Sequence, residues 1–111
     1  MVNVGCVLYK KGDASGTLNA TWCHPYFGEG VIGTGLATGG PEEGYAGQYE
    51  IRYLDHKGVE IAVFDLDIKK VGDYYEILWI INEEVLATGI GLEQTDGLVA
   101  GWREVNDRPE K

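Results

Sequence analysis

One stretch of the chain decides its fold, residues 44–54, which read GYAGQYEIRYL. Successive side chains of a β-strand point to opposite faces of the sheet, so a half-buried strand alternates between apolar and polar residues. This stretch alternates in that way and predicts a strand with one buried aromatic face. The residues of that face are Tyr45, Gly47, Tyr49, Ile51 and Tyr53.

Runs of similar character recur along the whole chain and are separated by glycine-containing turns. Glycine accounts for 17 of the 111 residues and proline for 3, a balance that suits short strands joined by tight turns. The regular spacing of the runs indicates an antiparallel up-and-down meander. We predict eight strands, at residues 2–9, 17–24, 31–38, 44–54, 59–71, 74–81, 85–93 and 97–105.

Five glycines lie inside the predicted strands, at positions 35, 47, 89, 91 and 101. A glycine within a strand marks a bend or the close approach of a neighbouring side chain, and closing a small barrel requires both. The predicted fold class is therefore all-β, a single antiparallel up-and-down meander of about eight strands that forms a small closed or partly closed barrel. Residues 1–105 would form this single domain, and residues 106–111 a frayed polar tail.

The net charge of −9 limits the classes of partner. An acidic surface repels the phosphates of nucleic acids and of anionic membranes, so we expect neither as a partner. A basic protein partner is favoured on electrostatic grounds. The chain has no apolar run of 18 residues and no N-terminal signal pattern, so the cytoplasm is the expected compartment. A signal peptide already removed would leave the same sequence.

The two cysteines and two histidines do not form a zinc-binding pattern, and no nucleophile elbow or phosphate-binding loop is present. We therefore predict no metal, no cofactor and no catalytic residue. Cys6 and Cys23 are expected as buried, reduced thiols. The alternative is a disulfide between the first two strands.

Four segments of the second half carry a resemblance to a known group of proteins: GYAGQY at 44–49, YEILW at 75–79, GIGL at 89–92 and LVAGW at 98–102. Over residues 44–105 the chain resembles small calycin-like bacterial β-barrels, the group that contains avidin-like and lipocalin-like domains. The resemblance implies an up-and-down barrel with a ligand pocket at one mouth or a protein-binding outer face. No set of biotin-contacting residues transfers, so biotin binding is not expected.

A binding site is predicted where the second strand ends, because pockets open at barrel mouths. Our main hypothesis is a non-enzymatic protein that binds a small apolar ligand there or docks a protein, with a homodimer left open. Core filling is the competing interpretation for the tyrosines, and Trp79 and Trp102 are expected in the core. The predicted ligand-binding residues are Trp22, His24, Tyr26, Phe27, Tyr45, Tyr49 and Tyr53.

Two further hypotheses stay open. The first is a small isomerase-like or cyclase-like barrel enzyme in which His24 acts with Asp65 or Asp67, two carboxylates that share a strand face. Alternation with the apolar residues of 64–68 favours a solvent-facing position for both aspartates. The second is an acidic regulatory barrel that binds a basic protein.

Overall fold

A computed structural model describes residues 3–25 and 30–105. The frayed tail predicted at residues 106–111 lies outside these ranges. Eight strands follow one another along the chain, joined by turns and loops. They are β1 (Gly5–Lys11), β2 (Leu18–Cys23), β3 (Gly33–Thr38), β4 (Gly47–Leu54), β5 (Glu60–Val71), β6 (Tyr74–Ile81), β7 (Glu84–Gln94) and β8 (Gly97–Glu104).

The eight strands form one closed barrel in the order of the sequence. Each strand pairs antiparallel with its neighbour along the chain, and β1 pairs antiparallel with β8 from Gly5–Trp102 to Tyr9–Leu98. Closure satisfies the backbone groups that an open sheet would leave at its two edges. The predicted fold class, an all-β up-and-down barrel, is confirmed.

The inward faces of the strands follow the alternation predicted from the sequence. On β2 the inward residues are Leu18, Ala20 and Trp22, and all three are buried. Fully buried side chains fill the interior of the barrel. They include Tyr9, Leu18, Ile51, Leu66, Ile77 and Leu98.

The strand borders differ from the predicted ones by up to three residues, and the difference is largest at the starts of β1 and β4. Gly44 has a φ of +75°, so the chain turns there, and β4 begins at Gly47 rather than at residue 44. Tyr45 is nevertheless buried, from the loop that precedes the strand. Both cysteines are exposed free thiols, so the prediction that they are buried is wrong. Their neighbours Val7 and Trp22 point inward, and alternation therefore turns Cys6 and Cys23 outward.

Two β-bulges interrupt the ladder near one end of the barrel. Between β4 and β5 the pairing steps from Tyr53–Ala62 to Leu54–Glu60, which leaves Ile61 as the extra residue. Between β6 and β7 it steps from Trp79–Ala87 to Ile80–Val85, which leaves Leu86 extra. A bulge bends its strand and redirects nearby side chains, and both bulges lie at the same rim.

Candidate functional site

A cavity of about 230 Å³ opens at the barrel end where β2, β4, β6 and β8 finish. Its walls are almost entirely apolar, and five of its residues carry large aromatic rings. The extra residues of both bulges contribute to it. The lining residues are Trp22, Tyr53, Ile61, Ala62, Phe64, Trp79, Leu86, Ala87, Trp102 and Glu104.

Glycines on the neighbouring strands make room for the tryptophans of this wall. Trp22 lies opposite Gly33 in the ladder, and a Cβ on that glycine would lie 2.5 Å from the indole Cε2. Trp102 lies opposite Gly5 in the same way, and a Cβ there would also collide with the indole. These contacts explain why strand positions that favour branched residues carry glycine instead.

The aromatic rings contact one another around the cavity. Tyr53 packs edge-to-face against Trp22 and Phe64, with ring centroids 5.9 and 6.0 Å apart. Trp79 and Trp102 are 5.8 Å apart with tilted planes. Such pairs add to the stabilisation that comes from burial alone. The result is a cavity whose walls are held by ring-to-ring contacts on several strands.

A hydrogen-bonded group of three side chains forms one side of the cavity floor. The indole Nε1 of Trp79 donates to the hydroxyl oxygen of Tyr53 at 2.7 Å. The hydroxyl oxygens of Tyr53 and Tyr9 are also 2.7 Å apart. Tyr9 is fully buried below the cavity, whereas Tyr53 lines it.

Either hydroxyl can donate in the Tyr9–Tyr53 hydrogen bond. Trp79 also acts on the Tyr9 phenol, because a side-chain hydrogen bond from its indole lowers the Tyr9 pKa. A phenol oxygen can accept two hydrogen bonds and still donate one. The Tyr53 oxygen can therefore accept from both Tyr9 and Trp79 while its own hydrogen stays free to donate.

Burial keeps both phenols in the neutral, hydrogen-bonding form. Desolvation raises the pKa of Tyr53 to about 12, although the hydrogen bonds from Tyr9 and Trp79 act in the opposite direction. Desolvation, followed by the proximity of Tyr53, raises the pKa of Tyr9 well above its ordinary value. At neutral pH both phenols are therefore uncharged.

His24 supports the cavity wall from behind Trp102. The imidazole is buried and stacks on the Trp102 indole at a centroid distance of 4.7 Å. Its Nε2 lies 3.3 Å from the side-chain oxygen of Asn3. Asn3, just before β1, is in turn bonded twice to Glu104 at the end of β8. Its side-chain nitrogen donates to the Glu104 carbonyl at 3.1 Å, and its side-chain oxygen accepts from the Glu104 backbone N–H at 3.3 Å. His24 thus connects three strands at this end of the barrel.

The tyrosines predicted as one ligand-binding stripe lie at opposite ends of the barrel. Tyr53 lines the cavity, whereas Tyr45 and Tyr49 close the far end, where the Tyr49 hydroxyl donates to the Tyr45 carbonyl at 2.9 Å. Tyr75 donates to Glu93 at 2.7 Å in the same region, and this bond raises the pKa of Tyr75 to about 12. The structure does not bring Tyr45 and Tyr49 to the cavity, and core filling is the role that their burial supports.

The remaining predicted residues have different outcomes. Trp22 lines the cavity, and His24 lies beside it without lining it. Tyr26 and Phe27 lie outside the described residues. Asp65 and Asp67 alternate along β5 with the inward-facing Leu66 and Ile68, so they point outward and do not meet the buried His24. The constellation that the enzyme hypothesis requires is not formed.

Sequence reasoning missed most of the cavity wall. The sequence predicts Trp79 and Trp102 as core residues, and it gives no reason to assign Phe64, Ile61 or Leu86 to a site. All five residues line the cavity. Trp79, Trp102 and Phe64 share the inward parity of their strands and lie near the same rim. The sequence carries no sign of the two bulges that bring in Ile61 and Leu86.

The outer wall carries a strip of apolar side chains. Leu8 on β1 pairs with Val99 on β8, and Val99 pairs with Leu92 on β7. Leu92 is 55% exposed, and Ile90, two residues before it, is 58% exposed. These side chains lie on the face of β1, β8 and β7 that points away from the cavity.

Comparison of the chain with protein-family models, with curated proteins and with solved structures found no match. Within residues 3–25 and 30–105, no group of three or more histidine, cysteine or acidic residues is arranged to hold a metal ion. No helix in those ranges is long and apolar enough to cross a membrane.

Proposed function

We propose that this barrel, of the calycin-like type, binds a small, flat, apolar molecule with one hydrogen-bond acceptor in the cavity at its open end. The observation that carries this proposal is the cavity itself, an aromatic-walled space with the phenol of Tyr53 in its lining. Binding sites for small molecules are mostly apolar, with a few placed polar groups that orient the ligand. The cavity at the open end of this barrel has that composition.

The volume favours a ligand of one or two fused rings. An engineered protein cavity of about 150 Å³ binds benzene, so a cavity of about 230 Å³ suits a bicyclic molecule. The edge-to-face and tilted rings around it favour a planar guest, because aromatic groups pack best in offset or perpendicular arrangements. Larger lipids and multi-ring ligands would exceed the space.

The acceptor on the ligand rests on one further assignment, that Tyr9 is the donor in its hydrogen bond with Tyr53. The Tyr53 oxygen then accepts from both Trp79 and Tyr9, and its remaining capacity is as a donor. A carbonyl oxygen on the ligand would accept that hydrogen. A neutral hydrogen bond of this kind contributes about 1 kcal/mol, or roughly a fivefold gain in affinity.

The experiment compares two bicyclic probes, indane and its ketone 1-indanone, by tryptophan fluorescence and by thermal unfolding. Trp22, Trp79 and Trp102 all line the cavity, so occupancy should change the emission of the native protein. Both probes should raise the unfolding temperature, because a ligand that binds only the folded state stabilises it. The ketone should bind about fivefold more tightly, and Tyr53→Phe should remove that preference. Unchanged emission and unfolding temperature with both probes would refute the proposal.

Two neighbouring residues on opposite faces of β5 provide a matched control. Ala62 lines the cavity, whereas Val63 points to the outer wall. Ala62→Leu should fill part of the cavity and weaken the binding of both probes about tenfold or more. Val63→Leu adds a methylene on the other face and should leave binding unchanged.

Other hypotheses are less well supported by the side-chain arrangement. An enzyme using His24 lacks its aspartate partner, because Asp65 and Asp67 face outward. Docking of a basic protein, or of a second copy, rests on the charge and the resemblance and stays a prediction. The cytoplasm likewise stays a prediction from the sequence.

A further inference from the structure

The two cysteines are direct partners across the first pair of strands. In the β1–β2 ladder, Cys6 lies opposite Cys23, followed by Val7 opposite Trp22. Both are free thiols and both are exposed on the outer wall. Residues directly opposite on antiparallel strands project side chains to the same face, so the two sulfur atoms share one patch of surface.

The ladder geometry permits a bond between these sulfur atoms. Directly opposite residues of an antiparallel pair have Cα atoms about 4.5 or 5.5 Å apart, depending on whether the pair is hydrogen-bonded. Both values lie within the range of about 4.4–6.8 Å found for disulfides. Side-chain rotation can therefore bring the thiols together while the two strands keep their register.

No other cysteine competes for this pairing, because the chain contains only two. An exposed thiol also meets oxidants in solution, whereas a buried one is protected from them. Within one molecule, the fixed register of β1 and β2 holds each thiol beside the other. Intramolecular closure is therefore favoured over reaction between two molecules.

We propose that Cys6 and Cys23 are a redox-active pair that forms a reversible cross-strand disulfide. The oxidant is a small-molecule disulfide of the glutathione class. The thiolate of one cysteine attacks this disulfide, releases one small thiol and forms a mixed disulfide. The second cysteine then attacks the protein sulfur and releases a second small thiol. The protein loses two protons and two electrons, and the oxidant takes them up as it is reduced to two thiols.

The bond would fasten β1 to β2 at the rim of the cavity. Cys23 lies between the wall residue Trp22 and the supporting residue His24. Cys6 adjoins Gly5, over which the Trp102 indole packs. Closing the loop of residues 6–23 restricts the unfolded chain and so stabilises the fold.

The experiment incubates the native protein, at low concentration and about pH 8, with oxidised glutathione and follows the intact mass. The expected product is a monomer lighter by about 2 Da, the loss of two hydrogens, with residues 6 and 23 cross-linked in a non-reducing peptide map. Its unfolding temperature should rise by about 5–10 °C over that of the reduced form and return after reduction.

Single variants provide the controls. Cys6→Ser and Cys23→Ser should each stop at the mixed disulfide with one glutathione and show no oxidation-dependent rise in unfolding temperature. A native protein that accumulates two glutathione adducts, or disulfide-linked dimers, would overturn the proposal. The outcome is independent of ligand binding in the cavity, because no probe molecule is present.

Discussion

The Tyr53 hydroxyl accepts a hydrogen bond of 2.7 Å from the Trp79 indole, joining β4 to β6 across the interior of the barrel. These strands are not neighbours, since β5 lies between them. Each residue also sits directly before a register shift. The bond therefore holds β4 and β6 at a fixed distance from each other where both strands line the cavity.

Removing the Tyr53 hydroxyl should destabilise the protein. Tyr53→Phe leaves the Trp79 N–H without its acceptor and the Tyr9 hydroxyl without its hydrogen-bond partner, and buried polar groups without a partner cost about 1–3 kcal/mol. Urea unfolding followed by tryptophan fluorescence measures the loss. Tyr74→Phe is the control, because Tyr74 is only partly buried, and it should cost less than about 0.5 kcal/mol. Equal losses in the two variants would contradict this account of the floor.

Stability should fall in alkaline solution above pH 10, where carboxylates and histidines have long lost their protons and do not contribute. The pKa of Tyr53 is about 12 in the folded protein against about 10 in the unfolded chain, so above pH 10 the unfolded state loses its proton first. The stabilisation is complete below pH 10 and disappears as the pH rises towards 12, at about 1.4 kcal/mol per pH unit. Unfolding at a series of pH values from 8 to 11.5 measures the slope. A Tyr53→Phe variant should show a shallower slope than the native protein.

Adding a methyl group at Gly33 should disturb the cavity wall. The new Cβ would lie 2.5 Å from the Trp22 ring and 2.6 Å from the Leu54 carbonyl oxygen. The ring cannot move freely, because its Nε1 donates to the Thr34 carbonyl at 2.9 Å. We expect Gly33→Ala to cost about 1–3 kcal/mol and to change the tryptophan emission.

Gly101 offers a matched control for that substitution, because it is also a strand glycine. A Cβ there would face outward and meet only the Gly5 carbonyl oxygen at 3.9 Å. Gly101→Ala should leave stability unchanged or raise it by about 0.5 kcal/mol, since alanine loses less conformational entropy on folding. If Gly101→Ala lowered the stability and Gly33→Ala did not, contact with the Trp22 ring would not be the reason that position 33 requires glycine.

Removing the surface ion pairs of Arg52 should have little effect. Its guanidinium contacts Glu50 at 3.2 Å and Glu60 at 3.1 Å, but all three side chains are about half exposed. Solvent-exposed pairs of this kind contribute about 0.2–1 kcal/mol and are screened by salt. Arg52→Ala should therefore cost less than about 1 kcal/mol in urea unfolding, with a smaller loss at high salt. A loss as large as that of Tyr53→Phe would contradict this ranking.

The sequence predicted the faces of the strands better than positions along them. Alternation placed Leu18, Ala20 and Trp22 inside and turned Asp65 outward, because a barrel wall has one interior face. Alternation does not say which end of the barrel a residue reaches. A strand rises about 3.3 Å per residue, so Tyr45 and Tyr53 lie at opposite ends although both belong to the inward set.

The errors at the cysteines and at the rim have different physical causes. Cys6 and Cys23 were expected inside because free cysteine is commonly buried, yet the inward positions of Val7 and Trp22 already required the opposite. That signal was present in the sequence. Ile61 and Leu86 enter the cavity through bulges, which shift the register by one residue without a characteristic pattern.

The double hydrogen bond between Asn3 and Glu104 has a topological consequence. It holds the start of β1 beside the end of β8, so the strands form a ring in which no strand is structurally first. A short linker between these two strands would complete the ring. The chain could then be reopened at the turn of Gly72 and Asp73, at the end remote from the cavity. Such a circular permutant would keep every strand pair and carry its new termini at the end opposite the cavity.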